Sequence, residues 1–495
     1  MRPIAENIPA ASILFMLLTA IISIVPKNGK TVCRMTAASL LLLFMASTGL
    51  SVYLYGGKYF TYSMGEWGAP WGNELRAGPA EALMAAVFSF VTLMSVIGGR
   101  SDAAHDIAAE KQGFYYIMID LLTASLLALI YTNDLFTGYV FIEINTVAAC
   151  ALVMAKEDGA SIAAAVRYLL MSLAGSALFL MSLVLLYGIT GHLLMESLAP
   201  AVAEIAESGK YLLPLAALTC MMVCGLAIKS ALYPFSTWLP DAHGSSTATS
   251  SVMLSGVVIK GYIIFMIKIF VRCLSLELAN RLGVTEILFA FGAAAMVMGS
   301  LKAMKETHFK RMIAYSSVAQ AGYIFIAFGM GTEDGVTAAF FQIIAHAVTK
   351  SLIIISAAGL IDASGHSKQL GDLAGAARRC PTAGIGFTVG GLAMVGMPLL
   401  GSFSMKLLIA GGAIGQSWRM IAVLVVIAVS SVLNALYYLP AIIRLWTAER
   451  SGEDKAGKPE LSMTAAISLL SAAVVGLGVF YEPVAALIRR GVGLL

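Results

Sequence analysis

Charge is scarce in this sequence. Asp, Glu, Lys and Arg make up 12% of its 495 residues, about half the share found in a soluble domain. A soluble globular chain is thereby excluded. The net charge is only +4, and no basic patch interleaved with aromatics points to nucleic acid. Cysteine is sparse too: six residues, at positions 33, 150, 220, 224, 273 and 380. They form no CxxC pair and have no histidine cluster beside them. Cys220 and Cys224, one helical turn apart, read as packing residues and not as metal ligands. No flavin site, iron–sulfur ligand set or nucleotide loop is present, so no cofactor, metal centre, redox site or hydrolytic site is expected in this chain.

What is abundant is apolar sequence. Hydrophobic residues make up 59% of the chain, and the mean hydropathy is +0.86. The first apolar run, Ile8 to Val25, ends in "PKNGK" and lacks a small-residue cleavage site. It reads as a retained span, not a signal peptide. Runs long enough to cross hydrocarbon recur from end to end. Spans are expected near 8–25, 33–54, 80–97, 113–132, 134–154, 162–187, 211–231, 248–271, 285–301, 311–331, 336–361, 381–413, 418–445 and 462–481. The fold class is therefore all-α integral membrane, with about 14 transmembrane helices. Two spans are irregular. The seventh runs into "YPFSTWLP", where Pro234 and Pro240 are expected to break it, and the twelfth contains "GMPLLGSFSMK" with Pro398. Such interruptions are tolerated where a helix lines a cavity or is buried in protein.

Basic residues orient the chain. Of 32 Lys and Arg, loops after odd-numbered spans hold eighteen, and loops after even-numbered spans with the two termini hold ten. Enrichment of Lys and Arg in cytoplasmic loops then places both termini on the non-cytoplasmic side. The remaining four are Lys229, Lys260, Lys350 and Lys406, inside apolar segments. Spans seven and twelve lie five apart, so they cross in opposite directions. Both are interrupted and both carry a lysine, the pattern of two inverted five-helix repeats. The expected organisation is residues 1–112 (three N-terminal helices), 113–271 and 272–446 (the repeats), and 447–495 (a C-terminal helix).

A charged group at bilayer depth costs several kcal/mol unless something accommodates it, which makes these lysines functional candidates. Glu143, about nine residues into the fifth span, is their natural counter-ion. Burial favours a neutral amine and a nearby carboxylate favours the cation, so a Lys–Glu pair can switch proton affinity by moving closer or apart. His346 and Lys350 are four apart and share one helix face; an imidazole passes protons near neutrality. Ser230, Ser236, Thr237, Ser251, Ser255, Thr349, Ser351, Ser402 and Ser404 can hold water between stations, although any single hydroxyl more commonly bonds back to its own helix. The expected proton relay is Glu143, Lys229, Lys260, His346, Lys350 and Lys406. His243, with Pro234, Pro240 and Pro398, is the candidate gate. Lys268, near a span end, is expected to snorkel its ammonium to the interface. Asp134 is expected to cap the fifth span; Asp120 and Glu81 lie where either a buried or an end position fits. His105, His192, His308 and His366 fall in loops.

These motifs resemble the antiporter-like membrane subunits shared by respiratory complex I, Mrp-type sodium/proton antiporters and membrane-bound energy-converting hydrogenases, over about residues 59–415. "NDLFTGYVFIE" resembles the motif that carries the family's glutamate, here Glu143. "KSALYPFSTWLPDAH" resembles the broken-helix motif, with Lys229, and "LSGVVIKGYIIF" the next lysine motif, with Lys260. "HFKRMIAYSSVAQAGYIF" is similar to the loop and tenth-helix signature. "HAVTKSL" resembles the His–Lys pair, and "GMPLLGSFSMKLL" the second broken helix, ending in Lys406. "YSMGEWGAPWGNELRAG" looks most like the Mrp and hydrogenase branches. No long amphipathic lateral helix is expected after the last span, unlike the longest distal type. Two departures stand out: "GSSTATSS" follows "LPDAH" where the family often has prolines, and "GSFSMK" replaces a more usual Gly-Phe order.

The resemblance implies proton translocation along a hydrated axis gated by the Glu–Lys pair, and leaves open whether sodium is coupled to it. It further implies a cell-membrane complex with homologous membrane subunits as partners, the driving reaction residing elsewhere. The rivals are a stand-alone secondary transporter of a small solute, a structural subunit with a decayed channel, and an anion- or bicarbonate-handling assembly on the same fold.

Overall fold

The computed structural model describes residues 4–68, 72–415, 418–447 and 460–495. The chain is mostly helical, about four residues in five. The N-terminal part comprises α1 (Ile4–Ile22), α2 (Gly29–Tyr53), an antiparallel hairpin of β1 (Phe60–Ser63) and β2 (Glu74–Ala77), α3 (Pro79–Gly98) and α4 (Arg100–Asp106). The hairpin is built from the "YSMGEWGAPWGNELRAG" stretch, of which residues 69–71 lie outside the described residues. Next come α5 (Gln112–Tyr131), α6 (Leu135–Met154), α7 (Gly159–Thr190), α8 (Met195–Ser208), α9 (Leu212–Lys229) and α10 (Trp238–Ser245). A long element, Ala248–Leu274, follows. It holds α11 (Ala248–Val252), a π-turn at Met253–Val258, α12 (Ile259–Ile269) and a second π-turn at Phe270–Leu274. Then come α13 (Leu276–Arg281), α14 (Val284–Lys305), α15 (Phe309–Phe328), α16 (Glu333–Asp362), α17 (Ala376–Arg379), α18 (Pro381–Val395) and α19 (Gly401–Gly412). The last are α20 (Trp418–Trp446), α21 (Leu461–Val479) and α22 (Tyr481–Val492).

Twelve helices among the described residues are long and apolar enough to cross a membrane, and each coincides with an expected span. The other two expected spans take different forms. The one near 311–331 is α15, a 20-residue helix whose apolar character is diluted by Lys310, Arg311, Ser316, Ser317 and Gln320. The one near 381–413 is divided into α18 and α19. Helix starts follow local chemistry. Asp134 accepts from the Thr137 amide (2.7 Å) and Asp158 from the Ser161 amide (2.6 Å), each satisfying an amide that the helix itself leaves free. Asp134 is thus the cap expected of it.

Burial is unequal. The Ala248–Leu274 element and α16 are buried almost throughout, whereas only a minority of the residues of α2, α20 and α21 are buried. The two central elements carry Lys260, His346 and Lys350. Ionisable groups therefore sit at the bundle's axis, where protein can surround them, and apolar helices face outward.

Close helix crossings fix that axis. At the α7–α9 contact, a Cβ on Gly225 would stand 2.6 Å from the Gly175 carbonyl oxygen, and one on Gly175 would stand 2.8 Å from that of Gly225. Only small residues let the two backbones approach this closely. The crossing places Lys229, one turn beyond Gly225, against Ser172 of α7. Gly225→Val is expected to push α9 outward and lower the melting temperature in detergent. An unchanged value would show that the crossing yields without moving Lys229.

Candidate functional site

α9 ends at Lys229, whose side chain is buried. Its ammonium donates to Thr146 Oγ1 on α6 (2.9 Å) and Ser172 Oγ on α7 (3.0 Å), and pairs with Glu143 Oε1 at 3.4 Å. Glu143 also accepts from Ser176 Oγ and keeps 28% of its side chain exposed, against 0% for Lys229. The pair therefore has one edge exposed at the chain's surface and one edge buried. Lys229 Nζ lies 5.7 Å from the centre of the Tyr262 ring, close enough for a cation–π contact. Tyr262 in turn donates to Asn145 Oδ1 (2.8 Å).

Lys260, two residues before Tyr262, donates to the Ser255 carbonyl inside the first π-turn. Such wide turns commonly mark functional sites. The Ser255 hydroxyl donates to Ser317 Oγ on α15 (2.7 Å). Beside it, Ser316 accepts from Lys350 and shares a 2.8 Å hydrogen bond with Tyr438 Oη. Lys350 also donates to the Ile313 carbonyl (2.7 Å) and, at 3.4 Å, to Tyr438. His346 is buried, within electrostatic reach of both Lys260 and Lys350. Neither of its ring nitrogens has a hydrogen-bond partner among the described residues.

On α20, Tyr437 donates to Asn434 Oδ1 (2.6 Å), and Asn434 donates to the Met394 carbonyl at the end of α18 (3.2 Å). The next carbonyl, Val395, accepts from Lys406 (2.7 Å), as does Ser431 Oγ (2.7 Å). Lys406 thus caps a helix end, where the macrodipole favours a cation. Gly396 follows at φ 96°, and a Cβ there would collide with the lysine. Four helices thus each place a buried lysine among polar partners: Lys229, Lys260, Lys350 and Lys406.

Of the gate candidates, Pro234 lies in the non-helical link after α9 and Pro398 in the link between α18 and α19. Pro240 does not break a helix. It occupies the first turn of α10, where a missing N–H leaves no intrahelical bond unmade. His243 is buried on α10, its Nε2 without a partner among the described residues. The opposite edge of α10 lines a cleft of about 400 Å³ with Asp158, Arg167, His308, Arg311 and Lys368. There Asp241 is held by Arg167 (2.6 Å) and Arg311 (3.1 Å). His308 is kept neutral: burial, then the neighbouring Lys368, pushes it down to about 4.

Three expectations need correcting or refining. Lys268 does not snorkel. It is fully buried and donates to the carbonyls of Ile130 (2.5 Å) and Thr132 (2.8 Å) at the end of α5, because the second π-turn and α13 carry the chain on beyond it. Cys220 and Cys224 are exposed on the outer surface of α9, not packed inside. Asp120 is buried midway along α5, accepting from Thr36 (3.0 Å), while Glu81 accepts from the Gly78 amide at the start of α3. Of the nine anticipated hydroxyls, Thr349 and Ser351 bond back to their own helix, whereas Ser251 meets Ser246 and the His243 carbonyl, Ser255 reaches Ser317 and Ser404 reaches the Gly478 carbonyl. Sequence reasoning missed Thr146, Ser172, Ser316, Ser431, Asn434 and Tyr438. Their signal was present as polar side chains recurring in otherwise apolar helices, one turn from each other or from a charged residue.

Comparison with known proteins adds an independent line. Residues 132–433 match the family described as NADH:quinone oxidoreductase/Mrp antiporter, transmembrane. The chain is 32% identical over 465 residues to NADH-quinone oxidoreductase subunit N of Desulforudis audaxviator, covering 90% of each. It is 24% identical over 481 residues to a Na(+)/H(+) antiporter subunit of Bacillus subtilis, covering 96% of this chain and 94% of that one. A chain of the membrane-bound sulfane sulfur reductase, an archaeal respiratory membrane complex, superposes with a TM-score of 0.87 at 27% identity, covering 99% of this chain and 97% of that one. A chain of the Mrp complex from Dietzia sp. DQ12-45-1b shares the fold, with a TM-score of 0.88 at 21% identity and coverage of 100% and 98%.

Proposed function

The chain belongs to the NADH:quinone oxidoreductase/Mrp antiporter transmembrane family, and from that premise we propose that its lysine row is the path of a translocated proton. The chain is a multi-pass membrane subunit that moves ions within a larger complex. Glu143, Lys229, Lys260, His346, Lys350 and Lys406 are the proposed stations, with His243 and the links at Pro234 and Pro398 as gates. One observation carries this: buried lysines from four helices meet hydroxyls, carbonyls and one partly exposed carboxylate, with no full set of counter-ions among the described residues. A structural ion-pair network would be charge-matched. A relay needs amines whose proton affinity changes as one partner moves, and Glu143 beside Lys229 supplies that partner.

The finer arrangement follows the same reading. α15 and the α18–α19 pair bring the crossings to fourteen. Residues 113–271 and 272–446 form two five-helix units of opposite sense, each with a lysine at an interruption. The face richer in Lys and Arg, which bears the Asp241 cleft, is cytoplasmic, and both termini lie opposite. Homologous membrane subunits are the expected neighbours, and sodium is the second ion to be tested. The driving reaction belongs to other chains.

The test is to tag this subunit, isolate the intact complex from native membranes and reconstitute it in vesicles carrying an internal pH dye. Proton movement linked to the complex's own driving reaction or sodium gradient is the expected result. Accumulation of a small organic solute by the chain alone, with no proton movement by the complex, would favour a stand-alone transporter.

A further inference from the structure

A second buried group of ionisable side chains lies outside the row. Lys268 is two turns along α12 from Lys260, a rise of about 12 Å, toward the face that carries α8, α13 and the hairpin. Its ammonium rests on the α5 carbonyls, and Glu81, Arg272 and Arg76 stand within its electrostatic reach. Glu81 is buried at the start of α3. Three polar atoms around this group have no hydrogen-bond partner among the described residues: Tyr131 Oη, Asn133 Oδ1 and Arg272 Nη1. Tyr131 and Asn133 are fully buried. Arg272 lines a cavity of about 320 Å³ with Glu207, Glu277 and Arg281.

A lysine that only capped α5 would account for its own two hydrogen bonds, but not for the unpaired polar atoms of Tyr131 and Asn133 beside its acceptors and of Arg272 at the cavity. Each such atom costs roughly 1–3 kcal/mol if dry, and buried polar groups of this kind are normally paired through ordered water. We propose that Lys268, with Glu81 and Tyr131, forms a proton station on a side branch that joins the row at Lys260 to the cavity at Arg272. The branch gives the row an outlet on the face opposite the Asp241 cleft. The transfer is a single hop: an N–H bond of the Lys268 ammonium breaks and an O–H bond to branch water forms. The neutral amine then takes its next proton from the side of Lys260, while Glu81 balances the charge. This inference rests on the proton-path reading of the row.

Lys268→Arg separates the two roles. A guanidinium still donates to the carbonyls of Ile130 and Thr132, but it stays protonated and releases nothing. In the reconstituted complex, proton movement is expected to fall about tenfold or more, with the subunit present at wild-type level. Lys229→Ala serves as the reference. Wild-type proton movement in Lys268→Arg, with Lys229→Ala inactive, would overturn the branch alone. Wild-type movement in both would overturn the row and the branch together. Should Lys268→Arg fail to assemble, Tyr131→Phe decides, because the hydroxyl it removes bonds to no described residue. A several-fold loss supports the branch, and an unchanged rate overturns it.

Discussion

Lys229→Ala and Glu143→Ala are each expected to abolish coupled proton translocation, a loss of about 100-fold or more, while the subunit still assembles. Lys229 is the point where α6, α7 and α9 converge, through Thr146, Ser172 and Glu143. Without its ammonium the row has no station beside the carboxylate. Without Glu143 the lysine keeps its hydroxyl partners but loses the group whose movement changes its proton affinity. The two variants should differ in stability. Removing one partner of a buried pair costs about 3–5 kcal/mol when the other charge is stranded. Glu143→Ala strands a side chain that is fully buried, whereas Lys229→Ala leaves a carboxylate that is 28% exposed and still accepts from Ser176. Glu143→Ala should therefore show the lower melting temperature in detergent, and Glu143→Gln should recover stability without recovering translocation. Wild-type proton movement in both alanine variants would remove the pair from the path.

Hydropathy was enough to find the helices. Twelve apolar runs became helices of crossing length, because hydrocarbon leaves the backbone no other way to satisfy its own amides and carbonyls. Depth within a helix was less legible. Lys268 reads as a residue near a span end, yet a π-turn and a short helix extend the element past it, and the end of α5, more than a hundred residues earlier in sequence, supplies its acceptors. Pro240 reads as a breaker but occupies a helix's first turn, a distinction that depends on which residue begins the helix. Isolated charges in apolar runs made the six relay candidates legible. Their partners were not, because Thr146, Ser172, Ser316 and Tyr438 reach the lysines from other helices, and no local spacing records that convergence.

The second large effect is expected at Lys350. This side chain holds together three elements: it rises from α16, donates to Ile313 and Ser316 on α15, and approaches Tyr438 on α20. In the proposed row it joins the stretch holding Lys260 and His346 to the stretch leading to Lys406, with the hydroxyls of Ser316 and Tyr438 beside it. Lys350→Met keeps the side chain's length and removes the ammonium. Translocation should fall by about two orders of magnitude, and the charge lost is one that no carboxylate among the described residues is seen to match. Because no stranded counter-ion remains, the variant should be no less stable than wild type, and replacing an ill-matched buried charge by an apolar group is often stabilising by about 1–4 kcal/mol. That combination, a stable and well-assembled chain that does not conduct, distinguishes a station from a structural strut, whose removal would lower stability and activity together. Tyr438→Phe tests the neighbouring link. It deletes one hydroxyl while Ser316 and Ile313 still hold Lys350, so a several-fold slowing without loss of assembly is expected. A Lys350→Met complex that moves protons at the wild-type rate would show that the two halves of the row do not communicate through this lysine.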